Sequence, residues 1–273
     1  MQNDYLPVLT IAGSDSSGGA GIQADIKAIS ALGGYAASVI TALTAQNTLG
    51  VQRIEKVSPA FIALQLESVF SDIHFKAIKI GMVHTIENVG VIAAAISKFK
   101  LENIVIDPVM ISKNGSRLID KDTVFEMQNQ LFPRAILITP NLPEAENLSE
   151  MKIANFQDME KVAMTLGEKF KTHILVKGGH LNSPEASDVL YNKANKKFVW
   201  FRSDRIETSH THGTGCTYSS AIAVCLAKGM TLTDAISAAK NYVNQAITAG
   251  KKRRLGQGIG PVDHFYLLRG ETL

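Results

Sequence analysis

His212-Gly213-Thr214-Gly215-Cys216-Thr217 is where this chain concentrates residues that could do chemistry. The segment leads directly into an apolar helical run, Ser219 to Leu226. The first turn of a helix leaves backbone N–H groups without intrahelical partners, and the helix dipole adds positive charge there. Glycine at 213 and 215 removes side chains that would hold an anion away from those groups. A thiol in the same field is expected to favour its thiolate, with a lowered pKa. Six residues thus describe an anion cradle with a reactive sulfur inside it. The competing reading is a well-capped helix with a small packing cysteine.

Residues elsewhere decide between the two, because together they make a phosphoryl-transfer set. Asp107 and Glu144 supply carboxylates that could hold Mg2+ directly or through water. Lys177 supplies a cation for phosphates, residues 213–216 the cradle, and Cys216 a group beside the acceptor hydroxyl. The transition state of phosphoryl transfer is loose, so positioning and charge neutralisation matter more than a strong base. Gln46 adds a long carboxamide in an apolar strand, with one acceptor and two donors that need partners. Met82 offers a polarizable surface for a flat ring, although Met82 and Val109 also read as ordinary packing at strand ends.

Other chemistries fit less well. There is no G-x-x-x-x-G-K-[ST], which excludes a P-loop nucleotidase. Neither Gly213-Thr-Gly215 nor Gly256-Gln-Gly258-Ile-Gly260 completes a dinucleotide fingerprint. His210, His212 and Cys216 hint at zinc but stop at three ligands with no C-x-x-C.

The elements that must position these groups alternate. Strands are expected at Val8–Ala12, Ala37–Ala45, Ala77–Ile80, Ile104–Ile106, Ala135–Ile138 and His173–Val176. Helices are expected at Ile22–Leu32, Ser58–Phe70, Asn88–Phe99 and Asp158–Phe170. Asp188–Tyr191 and Lys197–Phe201 read as a hairpin, and helices over about 214–228 and 232–249 close the chain. Gly13–Gly19 reads as a Gly/Ser/Asp-rich loop. Repeated strand–loop–helix units imply an α/β fold with a mainly parallel sheet flanked by helices, in a single domain over 1–273. Ligands of such sheets sit outside the carboxyl ends of the strands. Gly13–Asp15, Gln46-Asn47, Gly81-Met82, Asp107, Asn141 with Glu144, and Lys177 follow successive strands.

Composition narrows the class. The chain has 273 residues, with 28 Lys+Arg against 25 Asp+Glu, a balance that leaves no nucleic-acid footprint. Lys251-Lys252-Arg253-Arg254 reads as a solvated loop after a helix. Cys216 and Cys225 fall on one expected helix, roughly 13 Å apart at helical rise and so too far to bridge. Free thiols suggest a reducing cytosol. No signal-peptide pattern opens the chain, and no apolar run could span a bilayer.

At these residues the chain resembles the ribokinase-like superfamily in its vitamin-kinase branch, and within it the hydroxymethylpyrimidine/phosphomethylpyrimidine kinases of thiamine biosynthesis. The resembling segments include Thr10-Ile-Ala-Gly-Ser-Asp15, Ser17-Gly-Gly-Ala-Gly-Ile-Gln-Ala-Asp25 and Val39 to Asn47. Lys79-Ile-Gly-Met82, Asp107-Pro-Val-Met110, Ile138 to Ala145, Val176 to His180, Thr211 to Thr217 and Gly258 to Val262 continue the series in order. The resemblance implies a three-layer ribokinase-like fold, use of ATP and Mg2+ with room for a monovalent cation, and a homodimer. It places Gly13, Asp25, Gln46, Met82 and Val109 around the pyrimidine. Asn141 and Glu144 would match an N-x-x-E element that orders Mg2+, while Lys177, Thr214 and Lys240 would approach ATP. Gly213 and Gly215 would form the anion hole, and Cys216 stands where sugar kinases carry an aspartate base. Lys113-Asn114-Gly115 falls in a loop that varies in the family and is a candidate flap. The nearest rival activity is a cysteine-bearing pyridoxal kinase, and a rival of another class is a non-catalytic nucleotide sensor.

Overall fold

The computed structural model describes residues 4–110, 118–181 and 183–269, so the candidate flap at 113–115 lies outside the described residues. The first half of the chain runs β1 (Pro7–Asp15), α1 (Gly21–Ala31), β2 (Tyr35–Asn47), β3 (Gly50–Lys56) and α2 (Pro59–Phe70). It continues through β4 (Ala77–Ile80), α3 (Ile86–Phe99), β5 (Ile104–Ile106) and α4 (Lys121–Glu126). Then come β6 (Leu137–Ile138), α5 (Leu142–Ser149), α6 (Phe156–Phe170), β7 (His173–Val176), β8 (Asp188–Asn192) and β9 (Lys197–Phe201). Helices α7 (Thr214–Ala227) and α8 (Leu232–Gly250) follow.

Among the described residues, the nine strands make one sheet in the order β3-β2-β1-β4-β5-β6-β7-β8-β9. The pairs joining β2, β1, β4, β5, β6 and β7 are parallel, and β3, β8 and β9 add antiparallel edges. Successive strand residues point to opposite faces, and both faces are apolar. Leu9, Ile11, Ile78, Ile80, Ile104 and Ile106 join a core with α2, α3 and α6. Val8, Ala77, Val105, Leu137 and Leu175 join a second core with α1, α7 and α8. The result is three layers.

Helix starts follow their capping residues. The Ser58 hydroxyl accepts from Phe61 N with Pro59 in the first turn, and Thr85, Asn155 and Thr231 cap α3, α6 and α8 in the same way. Helices α4 and α5 were not expected from sequence, and two further readings change. Gly13–Asp15 extends β1 rather than forming a loop, because a register shift after Ala12 lets Ser14 pair with Leu43 and Asp15 with Thr44. Strand β3 was not anticipated: only Val51 and Ile54 of its side chains pack on the core, too weak an alternation to stand out.

Candidate active site

The carboxyl ends of the parallel strands face the start of α7. Gly213, at the N-cap, has φ 78°, and a Cβ on it would lie 1.8 Å from Gly19 O. Glycine is therefore required both by the left-handed backbone and by the loop packed against it. Thr214 turns its hydroxyl back onto Thr211 O at 2.8 Å. A Cβ on Gly215 would sit 3.2 Å from Asp107 Oδ2 and 3.3 Å from Lys177 Nζ. The open side of the helix start thus looks onto an ion pair, Lys177 Nζ to Asp107 Oδ1 at 2.7 Å.

That pair is one part of a buried charge network at the ends of β5, β6 and β7. Thr139 Oγ1 donates to Asp107 Oδ1 at 3.2 Å. Asn141 and Glu144 form a capping box at α5, with Glu144 Oε2 accepting from Asn141 N at 2.9 Å and Asn141 Oδ1 accepting from Glu144 N at 3.0 Å. Glu144 Oε1 accepts from Met110 N at 3.2 Å. Burial, offset by Lys177 and reinforced by Asp107, pushes the Glu144 carboxyl up to about 7. Burial opposes the Lys177 charge, but Asp107 and Glu144 outweigh it and raise that pKa. No group of three or more His, Cys, Asp or Glu that could hold a metal occurs among the described residues. Mg2+ asks for one or two carboxylates plus phosphate oxygens and water, so Asp107 with Glu144 is a donor set that fits it. His212, Cys216 and His210 form no such group, which leaves the zinc reading without support among these residues.

Three expectations for single residues are corrected. Cys216 is buried, and its thiol is pushed up to about 11 rather than down. Desolvation outweighs the opposing Lys79 charge, and Asp25 and Asp107 add to it. The resting sulfur is a thiol.

Asp25 does not present a free carboxylate to a pocket. It is fully buried, accepting from Thr10 Oγ1 at 2.6 Å, Lys79 Nζ at 2.8 and 2.9 Å, and Ser220 Oγ at 2.8 Å. Four hydrogen bonds compensate the desolvated charge. Sequence reasoning gave Lys79 no role; the available signal was a lysine inside an apolar strand, which must find a counter-charge.

Lys240 is committed elsewhere. Its ammonium holds Asp188 Oδ2 at 2.7 Å and the Ala186 carbonyl, while Asp188 Oδ1 accepts from Gly178 N at 2.9 Å. Lys240 therefore braces the turn beside Lys177 rather than reaching the cradle.

Gly13, Gln46 and Met82 lie on the β1–β2–β4 side, and Val109 follows β5. Met82 lies across Gly13, where a Cβ would come within 2.3 Å of its methyl carbon. Thr41 Oγ1 donates to Met82 O at 2.6 Å and fixes that strand end. Val109 is half-buried with φ 44°, a strained backbone for a β-branched residue. Asp15 organises the loop before α1, accepting from Ser17 N, Ser17 Oγ, Gly19 N and Ala20 N. His212 Nε2 lies 2.8 Å from Asp15 Oδ2. Burial would raise the Asp15 carboxyl, but bonds from His212, Ser17 and Ala20 lower it to about 2. The sequence reading did not couple Asp15 to His212.

The mainly parallel three-layer sheet is the fold of the ribokinase-like vitamin kinases. The solved structure of an ADP complex of Bacillus subtilis pyridoxal kinase matches with a TM-score of 0.89 at 35% identity, covering 98% of this chain and 100% of that one. The sequence model of the family described as phosphomethylpyrimidine kinase matches residues 15–263. The hydroxymethylpyrimidine/phosphomethylpyrimidine kinase of Rhizobium meliloti is 47% identical, over 94% of this chain and 96% of its own length. The thiamine biosynthesis bifunctional protein ThiED of Geobacter sulfurreducens is 48% identical over 94% of this chain, which spans 52% of that longer protein. The chain belongs to the phosphomethylpyrimidine kinase family.

Proposed function

We propose that this chain, as one ribokinase-like domain, transfers phosphoryl groups from ATP in thiamine biosynthesis. The first acceptor is the hydroxymethyl group of 4-amino-5-hydroxymethyl-2-methylpyrimidine, and the second is the phosphate of the resulting monophosphate. The observation that carries this reading is Gly215 opening the first turn of α7 onto the Lys177–Asp107 pair. An anion placed there meets helix N–H groups and an ammonium together.

The residues divide the work by position. The N–H groups at Gly215 and Cys216 face the migrating phosphoryl group, and Lys177 balances its charge. Asp107 and Glu144 would hold Mg2+, which would supply charge neutralisation at the phosphate oxygens. Asn141 sets Glu144 by the capping box. Gln46, Met82, Gly13 and Val109 hold the pyrimidine, which turns its hydroxymethyl toward Cys216. The alcohol oxygen bonds to the γ-phosphorus as the bond to ADP breaks. The alcohol proton passes late to an oxygen of the transferred phosphoryl group, as a loose transition state allows, while the Cys216 sulfur orients the hydroxyl. A homodimer that works in the cytoplasm is part of the same reading. It rests on the family resemblance and on two free cysteines, and no described helix is long and apolar enough to cross a membrane.

Pyridoxal is the second reading, because pyridoxal also carries a ring CH2OH and the Bacillus subtilis pyridoxal kinase shares the fold. A coupled ADP-release assay across the pyrimidine, its monophosphate, pyridoxal, hydroxyethylthiazole and ribose separates them. Release is expected with the two pyrimidines, and release with pyridoxal alone would reverse the assignment. Gln46→Met should damage pyrimidine turnover and spare pyridoxal turnover. Cys216→Ala should lower kcat by about 100-fold, the scale of a misplaced reacting group; near-normal kcat would refute the role of the sulfur.

A further inference from the structure

Gln46 sits between two anchored side chains. On one side, His212 Nε2 is 2.8 Å from Asp15 Oδ2 and 3.3 Å from the end of the Gln46 amide. On the other, Thr44 Oγ1 is 2.9 Å from Ser14 O and 3.1 Å from the second amide atom. Gln46 is also pinned at its backbone: Gln46 N donates to Ser16 Oγ at 2.9 Å, and Ser16 Oγ donates to Gln46 O at 2.8 Å.

Counting hydrogens settles which end of the amide is which. Oxygen and nitrogen of a carboxamide are assigned from their hydrogen-bond partners rather than from their positions. An ionised carboxylate only accepts, so His212 Nε2 carries a hydrogen toward Asp15 in either charge state of the ring. That nitrogen then has no lone pair and cannot accept from an NH2 group. The Ser14 carbonyl likewise only accepts and takes the single Thr44 hydroxyl hydrogen, so Thr44 can only accept from Gln46. Both ends call for one orientation: the Gln46 carbonyl toward His212 and its NH2 toward Thr44. In that orientation the Gln46 carbonyl shares the Nε2 hydrogen with Asp15 and Thr44 gains an NH2 donor, whereas the opposite one sets N–H against N–H at His212 and leaves two oxygens sharing the one Thr44 hydrogen.

We infer that the Asp15–His212 and Ser14–Thr44 pairs are specificity-determining positioning elements that lock the Gln46 amide in one orientation. This rests on the reading that Gln46 meets the pyrimidine edge. In that orientation the second N–H and the second carbonyl lone pair form a fixed donor–acceptor order. A 4-aminopyrimidine supplies the matching order, with its ring nitrogen accepting and its amino group donating. A 4-oxo pyrimidine in its lactam form supplies the reverse, with a ring N–H donating and a carbonyl accepting. The hydroxymethyl group must face the cradle, so the ring cannot turn over to compensate.

The test is the ratio of kcat/KM for 4-amino-5-hydroxymethyl-2-methylpyrimidine to that for its 4-oxo analogue. The unaltered protein is expected to favour the amino substrate by about 100-fold, the effect of two mispaired hydrogen bonds. Thr44→Val and the Thr44→Val/His212→Phe double variant free the amide to rotate. The ratio is expected to fall by about tenfold or more in the double variant, through a rise for the oxo analogue. Thr44→Ser should restore it. A merely structural role would lower both substrates together and leave the ratio unchanged, and that result overturns the inference. Thr44→Val alone decides the matter if the His212 variant does not fold. Failure of the unaltered protein to turn over the amino substrate would instead sink the proposed function.

Discussion

Replacing Gly215 by alanine should separate stability from catalysis. Gly215 is in the first turn of α7, and it is not among the glycines with positive φ. Alanine there relieves backbone entropy worth roughly 0.5–1 kcal/mol in a helix. The new methyl would lie 3.2 Å from Asp107 Oδ2 and 3.3 Å from Lys177 Nζ, tight contacts that give part of that gain back. The net change should therefore leave Tm within about 3 °C of the unaltered protein, given roughly 2–4 °C per kcal/mol for chains near this size. Catalysis should respond differently, because the methyl stands between the helix N–H groups and the Lys177–Asp107 pair. Losing one preorganised donor at a developing charge costs about 100- to 1,000-fold in kcat. Thermal melts and the coupled ADP-release assay read the two effects separately. If kcat stayed within about threefold while Tm held, the phosphoryl group would not lie over residue 215 and the site assignment would fail. Gly213→Ala is the contrasting case. Its φ of 78° and the 1.8 Å approach to Gly19 O should make both Tm and kcat fall.

Asp25→Asn should leave the Lys79 ammonium buried without its counter-charge, and denaturant melts should show a loss of about 3–5 kcal/mol; a loss under 1 kcal/mol would mean that the pair is relaxed by water. Two carboxyls give stability opposite dependences on pH. Glu144 is raised to about 7 from 4.5, so its unfolded form releases the proton first and stability declines as pH rises from about 4.5 to 7. Glu144→Gln should remove that slope, and an unchanged slope in the variant would refute the assignment. Asp15 is lowered to about 2 from 3.8, so its contribution is complete above 3.8 and is lost as pH falls toward 2. Asp15→Asn should flatten the acid limb of the melting curve.

Much of the architecture was legible because it is written in local patterns. Ile104–Ile106 announces a buried strand by an unbroken apolar run, Ala77–Ile80 and His173–Val176 by short apolar runs carrying one basic residue each, and Ser58-Pro59 announces a helix start by its capping chemistry. The order of chemical residues at successive strand ends also followed, since parallel strands joined by crossovers bring those ends to one edge. Strand β3 and the last residues of β1 escaped, because their pairing partners, rather than their own alternation, extend them.

The sequence by itself determined which faces are apolar, where the longer helices lie, and that a glycine cradle, two acids and a lysine meet at one sheet edge. Only the tertiary structure decided the charge state and the partners of those groups. Cys216 begins a helix whose dipole favours a thiolate, yet burial keeps it a thiol. Asp25 sits on a helix that could have faced water, yet it closes on Lys79, 54 residues away. His212 could have been a metal ligand, yet it holds Asp15 across 197 residues and with it the orientation of Gln46. Periodicity is a property of neighbours along the chain, whereas desolvation and hydrogen-bond partnership depend on whatever the fold brings alongside.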